Sequence, residues 1–385
     1  MKKILFVTGS RAEFDLIVTT LKILDKSKDF ILYVVLTGSH LSQEYGNSYK
    51  YIKTYKFKNI VKVNIEIKSS TPNHVLKSIS KGVEKFTNIF NKLKPDIIFL
   101  PGDRYELISA ALCGHFLNIR IAHIFGGDTT TGSLDESIRH CITKLSDYHF
   151  VTSQDSKNRV QQLGENKKNI FLIGNPGLDS MKNIKYLTKK YLEKLLDFNF
   201  KDKIALIVLH PDASSRLKTV QLTESLLVAL KDLKNYSLIF TQPNADSYSN
   251  EISQRFIAFC KTNNSRSIYL DNLGHQKFLS FLKISSFIIG NSSAGLSEMP
   301  FFKKPTINLG ERQEGRIKPF SVIDCNLNKK NIKNAINKTS DLKFFYKIKK
   351  QSYHLGKAGG SKKIVSILSK LDISLKKDFK KFIDI

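Results

Sequence analysis

Short apolar runs alternate with longer amphipathic stretches along the first half of the chain. Strands of a parallel sheet are buried on both faces and are therefore continuously apolar. The runs that predict such strands are KILFVTG, FILYVVLTG, IVKVNIEI, DIIFLPGD, RIAHIFGGD, YHFVTS and NIFLIGNPG. Residues 74–93 have helical periodicity, and residues 106–118 have the apolar composition of a buried helix. This order predicts βα units around a parallel sheet.

A second series of the same kind follows a polar, Lys-rich stretch near residues 181–203. Its predicted strands are DKIALIVLHP, YSLIFTQP, SIYLD, SFIIGNSS and KPTINLG, and its predicted helices include TVQLTESLLVALKDL and EISQRFIAFC. We therefore predict an α/β protein with two doubly wound domains, at residues 1–180 and 181–360. Residues 361–385 predict a helix followed by a basic tail.

Length and composition exclude several classes of protein. A chain of 385 residues is too long for one small binding module, and a hydrophobic fraction of 41% excludes a disordered or collagen-like chain. No apolar run approaches the roughly 18 residues of a membrane span, so we expect a cytoplasmic protein without a membrane partner. The cysteines lie far apart without a CxxC pair, which favours reduced thiols over a zinc site or disulfides: Cys113, Cys141, Cys260 and Cys325.

The charge balance by itself would suggest nucleic acid or an acidic membrane as a partner. Lys and Arg number 62 against 34 Asp and Glu, a net charge of +28. The lysines are spread over many segments and only 10 of the basic residues are Arg, so we expect no nucleic-acid partner. A small anionic substrate fits this distribution, and each Arg beside a motif is of particular interest.

Open α/β sheets bind ligands beyond the carboxyl ends of their strands, so the residues directly after each strand are the candidates for binding and catalysis. The first strand runs into GSRAE, which lacks the G-x-G-x-x-G fingerprint of a nicotinamide-binding domain. An Arg beside a Gly turn at a helix N-terminus suits a phosphate, so Arg11 is a candidate anion ligand. The alternative is a surface Arg11 paired with Glu13.

The fourth and fifth strands are followed by acids. Asp103 and Arg104 come directly after the fourth strand, where Asp103 could transfer a proton, orient a sugar hydroxyl or cap the next helix. After the fifth strand, acids and histidines flank a Gly/Thr loop: His123, Asp128, Asp135, Glu136 and His140. A helix from residue 135 would pair Asp135 with Arg139 and Glu136 with His140, four residues apart. Such pairs serve acid/base chemistry or simply stabilise a helix.

In the second series, polar residues again follow the strands. His210 and Asn244 come after the first two of these strands, and GNSSAGLSE follows a later one. Its small residues and backbone N–H groups, opening a helix, suit a diphosphate cradle, and the alternative is a plain Ser/Gly helix entry. Glu298 would lie one or two turns into that helix, where it could accept the hydroxyls of a ribose. Arg312 and Arg316 lie in a Gly-flanked loop.

Five motifs occur in one order: VTGSRAEFD, PGDRYE, HIFGGDTTTGSLDESIRHCITK, GNSSAGLSE and GERQEGR. With them, the chain resembles the hydrolysing UDP-N-acetylglucosamine 2-epimerases of bacterial sialic and legionaminic acid synthesis, through about residue 320. The resemblance implies a glycosyltransferase-B-like fold, in which two Rossmann-like domains face a cleft. The first domain then supplies the catalytic acids on the sugar side, and the second binds UDP.

The resemblance also implies residue roles. The residues assigned to catalysis are Asp103, Asp128, Asp135, Glu136, Arg139 and His210. Those assigned to substrate and UDP binding are Arg11, Arg104, His210, Asn244, Phe278, Asn291, Ser292, Ser293, Glu298 and Arg312. Phe125 stands where many relatives carry Glu, and Asp128 lies where many carry Glu three positions later. Which acid serves that role is left open.

The implied reaction begins when UDP leaves C1 of UDP-N-acetylglucosamine, which makes the C2 proton removable and leaves a 2-acetamidoglucal. Water then adds at C1 and a proton returns to the opposite face of C2, giving N-acetylmannosamine and UDP. No redox cofactor or metal is expected. The resemblance implies a UDP-sugar as the partner and a homodimer or homotetramer as the assembly.

Several alternatives stay open. The same chemistry on UDP-2,4-diacetamido-2,4,6-trideoxyglucose is one, and a UDP-sugar glycosyltransferase is another, although the acid-rich stretch 128–136 favours epimerisation. A nicotinamide-dependent epimerase is disfavoured by the missing glycine fingerprint, despite Y-x-x-x-K at Tyr186 and Tyr346. The last alternative is a binding protein without catalytic activity, which Phe125 suggests because it stands where many relatives carry Glu.

Overall fold

The computed structural model describes residues 1–43, 47–67, 71–129, 134–212, 215–243, 248–271, 273–351, 356–373, 377 and 380–384. The chain forms two compact units. The first comprises Met1–Asn183 together with Leu355–Ile385, and the second is Ile184–His354.

The first unit is built on a parallel sheet of seven strands in the order β3-β2-β1-β4-β5-β6-β7. The strands are β1 (Lys2–Thr8), β2 (Phe30–Leu36), β3 (Ile60–Lys62), β4 (Ile97–Pro101), β5 (Arg120–Ile124), β6 (Tyr148–Val151) and β7 (Ile170–Leu172). The helices between and after them are α1 (Arg11–Lys26), α2 (Tyr49–Lys53), α3 (Pro72–Leu93), α4 (Tyr105–Phe116), α5 (Leu134–Leu145), α6 (Gln154–Gln162) and α7 (Pro176–Asn183).

The second unit repeats this topology with a six-stranded parallel sheet in the order β10-β9-β8-β11-β12-β13. Its strands are β8 (Lys203–Val208), β9 (Tyr236–Thr241), β10 (Ser267–Leu270), β11 (Phe287–Gly290), β12 (Thr306–Leu309) and β13 (Val322–Cys325). Its helices are α8 (Lys189–Leu196), α9 (Arg216–Leu230), α10 (Ser249–Thr262), α11 (Gly274–Ile284), α12 (Lys329–Thr339) and α13 (Leu342–Lys350).

Alternate residues of each central strand pack into different cores. In β1, Phe6 joins a core with Phe14 of α1, whereas Leu5 joins another core with Leu107 of α4. Successive side chains of a strand point to opposite faces, so α1 and α4 cover opposite faces of the sheet. Strands β1 and β4 are neighbours. Their following loops therefore flank the point at which the strand order reverses, where such sheets bind ligands.

The predicted pair of Rossmann-like α/β domains is confirmed. Each predicted strand coincides with an observed one, although β3 is only three residues long. Strand β13 was not predicted. The helix expected to open within GNSSAGLSE is wrong: residues 293–295 and 299–302 form only two short 3₁₀ turns, and Glu298 caps the second. Gly295 and Pro300 explain this, because Gly destabilises a helix and Pro lacks the N–H donor.

The C-terminal segment packs on the first unit. Helix α14 (Gly360–Lys370) contacts α1 and α7, and the Asp179 carboxylate accepts the Gly359 and Ser361 N–H groups at 2.6 and 2.8 Å. Farther on, Lys380 lies 2.7 Å from the buried Glu165 carboxylate. Among the described residues, no helix combines the length and apolar character needed to cross a membrane.

Gly164→Ala should destabilise the first unit. Gly164 has a φ of +74°, and an added Cβ would lie 2.4 Å from the nearest atom of the Phe382 ring. We expect a loss of about 2 kcal/mol in the free energy of unfolding, measured by urea denaturation.

Gly102→Ala is the matched control, because Gly102 has a φ of +75° with no atom within 4 Å of an added Cβ. It should show only the backbone cost of about 1 kcal/mol. Equal losses in the two variants would show that Phe382 does not pack there.

Candidate active site

A buried guanidinium joins three acidic residues at the carboxyl ends of β4 and β5. The Arg139 side chain, on α5, is only 5% exposed. It donates to the Asp103 carboxylate, to Glu136 Oε2 at 2.8 Å and to the backbone oxygen of Asp128 at 2.7 Å. The planar fork of an arginine suits several acceptors at fixed angles. Asp103 follows β4 and Asp128 follows β5, so Arg139 ties both loops to α5.

Asp128 belongs to the same cluster through its side chain. Its carboxyl group accepts a hydrogen bond of 2.6 Å from the Ser156 hydroxyl at the start of α6. Burial raises the pKa of Asp128, and this effect exceeds the opposing effects of the Ser156 hydrogen bond, Arg139 and Arg159. Asp128 therefore lies in different electrostatic surroundings from Asp103 and Glu136, which are ion-paired with Arg139. Phe125, which stands where many relatives carry Glu, packs against the hydrophobic core that contains Phe6 and Phe14.

Two histidines lie around the cluster. His140 Nε2 is 3.3 Å from Glu136 Oε1, as the spacing of four on a helix predicts. His123 is fully buried, and its Nε2 is 2.7 Å from the Gly102 oxygen. Burial lowers the pKa of His123 to about 3, so the neutral ring donates to this oxygen and holds the turn before Asp103.

A second group of charges surrounds Arg104, the residue after Asp103. Arg104 Nε and Nη2 donate to the carboxylate of Glu106 at 3.1–3.2 Å, and Glu13 Oε1 lies 3.9 Å from Nε. Asp135 also acts on Arg104, since its charge is among those that raise the pKa of the guanidinium. Among these charges, Glu106 has the largest effect on the pKa of Arg104.

Arg11 has a different partner from the expected one. Its Nε lies 3.6 Å from Asp15, one turn along α1, whereas Glu13 is buried and faces Arg104. The pairing of Arg11 with Glu13 considered from the sequence is therefore wrong. Residues 130–133, which include most of the Gly/Thr loop, lie outside the described residues, as does Asn244.

In the second unit, Asn291 joins the ends of β8 and β11. The side-chain oxygen of Asn291 accepts a hydrogen bond of 2.7 Å from the backbone N–H of His210. The side-chain nitrogen of Asn291 donates to the backbone oxygen of His210 at 2.9 Å. The Asn291 backbone oxygen accepts from Gln313 at 2.8 Å and from Arg312 at 3.3 Å. These bonds bring the predicted residues His210, Asn291 and Arg312 together beside the strand-order reversal of this sheet.

The other predicted residues of the second unit lie on nearby segments. The Ser292 hydroxyl caps the turn 293–295 by accepting the Ala294 N–H at 3.3 Å. Ser293 is exposed, and Phe278 is half-buried on α11. Burial raises the pKa of Glu298, which accepts a hydrogen bond from Ser297, and burial lowers the pKa of His210 to about 3. His210 is therefore a neutral ring at physiological pH.

Comparison with known proteins gives these sites a context. A model of the UDP-N-acetylglucosamine 2-epimerase family matches residues 22–369. The chain belongs to this family. A Campylobacter jejuni relative, named GDP/UDP-N,N'-diacetylbacillosamine 2-epimerase (hydrolyzing), is 40% identical over 327 residues, 85% of each chain. Polysialic acid biosynthesis protein P7 of Escherichia coli is 36% identical over 100% of this chain and 98% of its own.

Solved structures of family members share the fold. The UDP-GlcNAc 2-epimerase from Neisseria meningitidis, determined with UDP-GlcNAc bound, superposes with a TM-score of 0.82 at 20% identity, covering 96% of this chain and 100% of that one. At this identity the likeness concerns the fold, which agrees with the glycosyltransferase-B-like class expected from the sequence.

Four site residues of this family member were not assigned from the sequence: Glu13, Glu106, Ser156 and Gln313. Glu13 and Glu106 each lie in the first turn of a helix, the usual place for a solvated acid, and only tertiary packing buries them. Their proximity to Arg11 and Arg104 in the motifs was the available signal. In the described residues, no group of three or more His, Cys, Asp or Glu has the arrangement of a metal site.

Arg139→Gln should destabilise the first unit strongly. The substitution removes the charge that compensates Asp103 and Glu136 and leaves an oxygen of Asp128 without its donor. We expect a loss of about 3 kcal/mol in chemical denaturation, because breaking a buried ion pair leaves uncompensated charge.

Arg216→Gln provides the control. Arg216 pairs with Glu251 at 2.6 Å, but its side chain is 67% exposed. Because the Arg216 side chain is largely exposed, its loss should cost much less stability than the loss of the buried Arg139. Similar losses in the two variants would contradict a special role for the buried Arg139.

Proposed function

We propose that this protein is a hydrolysing 2-epimerase of a UDP-linked 2-acetamido sugar. The observation that carries the proposal is the Arg139 cluster, which gathers Asp103, Glu136 and Asp128 at the strand ends of a sheet belonging to this family. Carboxyl groups held together in different electrostatic surroundings suit removal of one proton and delivery of another.

The second unit is proposed to bind the UDP moiety. The neutral imidazole of His210 would donate a hydrogen bond to a phosphate oxygen, and Arg312 would supply positive charge to the same group. The Asn291 side chain holds the His210 backbone, and the Asn291 backbone oxygen accepts a hydrogen bond from the Arg312 side chain. Fixed donors aimed at the diphosphate stabilise the charge that it gains as the C1–O bond breaks.

The first unit is proposed to move the protons. As the C1–O electron pair leaves with UDP, a carboxylate takes the C2 proton and the C2–H electrons form the C1–C2 double bond of the glycal. Asp103 is assigned to this step because it is ion-paired with Arg139. Asp128, whose pKa is raised by burial, would return a proton to the opposite face of C2 while water adds at C1. Asp135 and Glu136 would orient the water, and Asp135 would take the proton that the water loses as its oxygen bonds to C1.

Two sugars are candidates. UDP-N-acetylglucosamine would give N-acetylmannosamine for sialic acid synthesis. The relatives named for N,N'-diacetylbacillosamine favour the 2,4-diacetamido sugar: that of Campylobacter jejuni is 40% identical and that of Legionella pneumophila 32% identical. A Neisseria meningitidis relative named UDP-N-acetylglucosamine 2-epimerase is 29% identical. We therefore propose the diacetamido sugar as the preferred substrate and UDP-N-acetylglucosamine as the second.

Incubation with each nucleotide sugar in heavy water should yield UDP and a free, C2-inverted sugar carrying deuterium at C2, read by mass spectrometry and NMR. We expect kcat/KM to be at least about tenfold higher for the diacetamido sugar, since one lost acetamido contact is worth about 1.4 kcal/mol. Product without deuterium would exclude elimination. Turnover only after addition of an acceptor would identify a glycosyltransferase.

Asp103→Asn and Asp135→Asn should each lower kcat by at least about a hundredfold, because the amide cannot accept or deliver the proton. Binding of UDP, measured by calorimetry, should persist in both variants. Asp155→Asn, an exposed acid in the first turn of α6, is the control and should retain the wild-type rate. Near-wild-type rates in the Asp103 and Asp135 variants would remove these acids from the mechanism.

A further inference from the structure

Two buried carboxyl groups converge on one arginine at the strand-order reversal of the first sheet. Glu13 lies in the first turn of α1, after β1, and Glu106 lies in the first turn of α4, after β4. Glu106 is 0% and Glu13 is 9% exposed. Arg104 lies between them with its side chain 39% exposed, so that it contacts both carboxyl groups and still reaches solvent.

The surroundings of each carboxyl group are specific. Glu13 accepts hydrogen bonds from the Gly9 N–H at 3.3 Å and from the hydroxyls of Ser10 and Thr8 at 3.1 and 3.3 Å. The Glu106 carboxylate occupies space left by two glycines. An added Cβ would lie 2.9 Å from Glu106 Oε1 at Gly9 and 2.6 Å from it at Gly38.

The charges of this group do not balance when both acids are ionised. One guanidinium faces two carboxylates, and Asp103 and Asp135 add negative charge nearby. Asp103 is itself paired with Arg139. His40, which lies 3.1 Å from the Thr8 hydroxyl, supplies no positive charge, because burial lowers its pKa to about 3. A buried group with surplus negative charge is expected to hold a proton.

We propose that Glu13 and Glu106 form a clamp on Arg104 that holds one proton on Glu13, and that this proton keeps Arg104 available to bind the diphosphate of the substrate. The inference rests on the proposed function. Glu13 and Glu106 act as positioning residues, since they reach the substrate only through Arg104.

The protonation of Glu13 determines how strongly Arg104 attracts an anionic ligand. With Glu13 neutral, Arg104 keeps its ion pair with Glu106, and the charge of Asp135 acts on it from farther away. When Glu13 loses its proton to solvent, a second carboxylate at 3.9 Å competes with the diphosphate for the same guanidinium. Burial raises the pKa of Glu13 to about 8, against the opposing effect of Arg104, so this change falls within the range of an enzyme assay. Substrate binding should therefore weaken above pH 8.

The pH profile of Glu13→Gln tests the clamp, because glutamine mimics the protonated acid. For the wild type, kcat/KM should fall by roughly tenfold between pH 8 and 9.5, mainly through KM, as expected for one ionising group. In Glu13→Gln the same ratio should stay within about twofold. Glu165→Gln, which changes another buried acid of the first unit, should keep the wild-type profile. An alkaline decline in Glu13→Gln equal to that of the wild type would overturn the proposal.

A second measurement uses the wild type and no turnover. UDP binding at pH 8.3, followed by calorimetry in buffers of different ionisation enthalpy, should take up roughly half a proton, because the bound diphosphate favours neutral Glu13. Absence of proton uptake would overturn the clamp, even if Glu13→Gln failed to fold. Proton uptake without turnover of either sugar would instead support the clamp and reject the proposed reaction.

Discussion

A guanidinium withdrawn from water holds three segments of the first unit together. Arg139 is 5% exposed and satisfies acceptors from the loop after β4, the loop after β5 and its own helix. Such a charge is costly to bury unless its partners are also fixed, so the interaction demands that all three segments keep one arrangement. Two further hydrogen bonds support this arrangement. The His123 ring bonds the Gly102 oxygen, and the Ser156 hydroxyl donates to the Asp128 carboxyl group.

The loops at the strand-order reversal are linked by different interactions in the two units. Both sheets reverse their strand order beside a pair of central strands, β1 with β4 and β8 with β11. In the first unit the adjoining loops bear carboxylates and arginines. In the second, a neutral Asn291 links the loops through amide hydrogen bonds. In the proposed function, the charged loops of the first unit would move protons, and the loops linked by Asn291 would hold the diphosphate.

The sequence alone predicted the parts of the fold that local pattern determines. Continuous apolar runs identified the buried strands, since burial on both faces leaves little ambiguity. β13 was missed because VIDC includes an acid and is short. The burial of Glu106 could not be predicted, because it occupies space left by Gly9 and Gly38, which are distant in sequence from α4. The turn at residues 299–302 has a Pro in its first positions, directly after the motif.

The return of the chain to the first unit after residue 354 affects how that unit is made. Ile364 and Leu368 of α14 complete the core that contains Phe6 and Phe14. A ribosome therefore delivers the last pieces of this core only after the whole second unit has been synthesised. During that interval the nascent first unit lacks the apolar side chains that pack against α1 and α7.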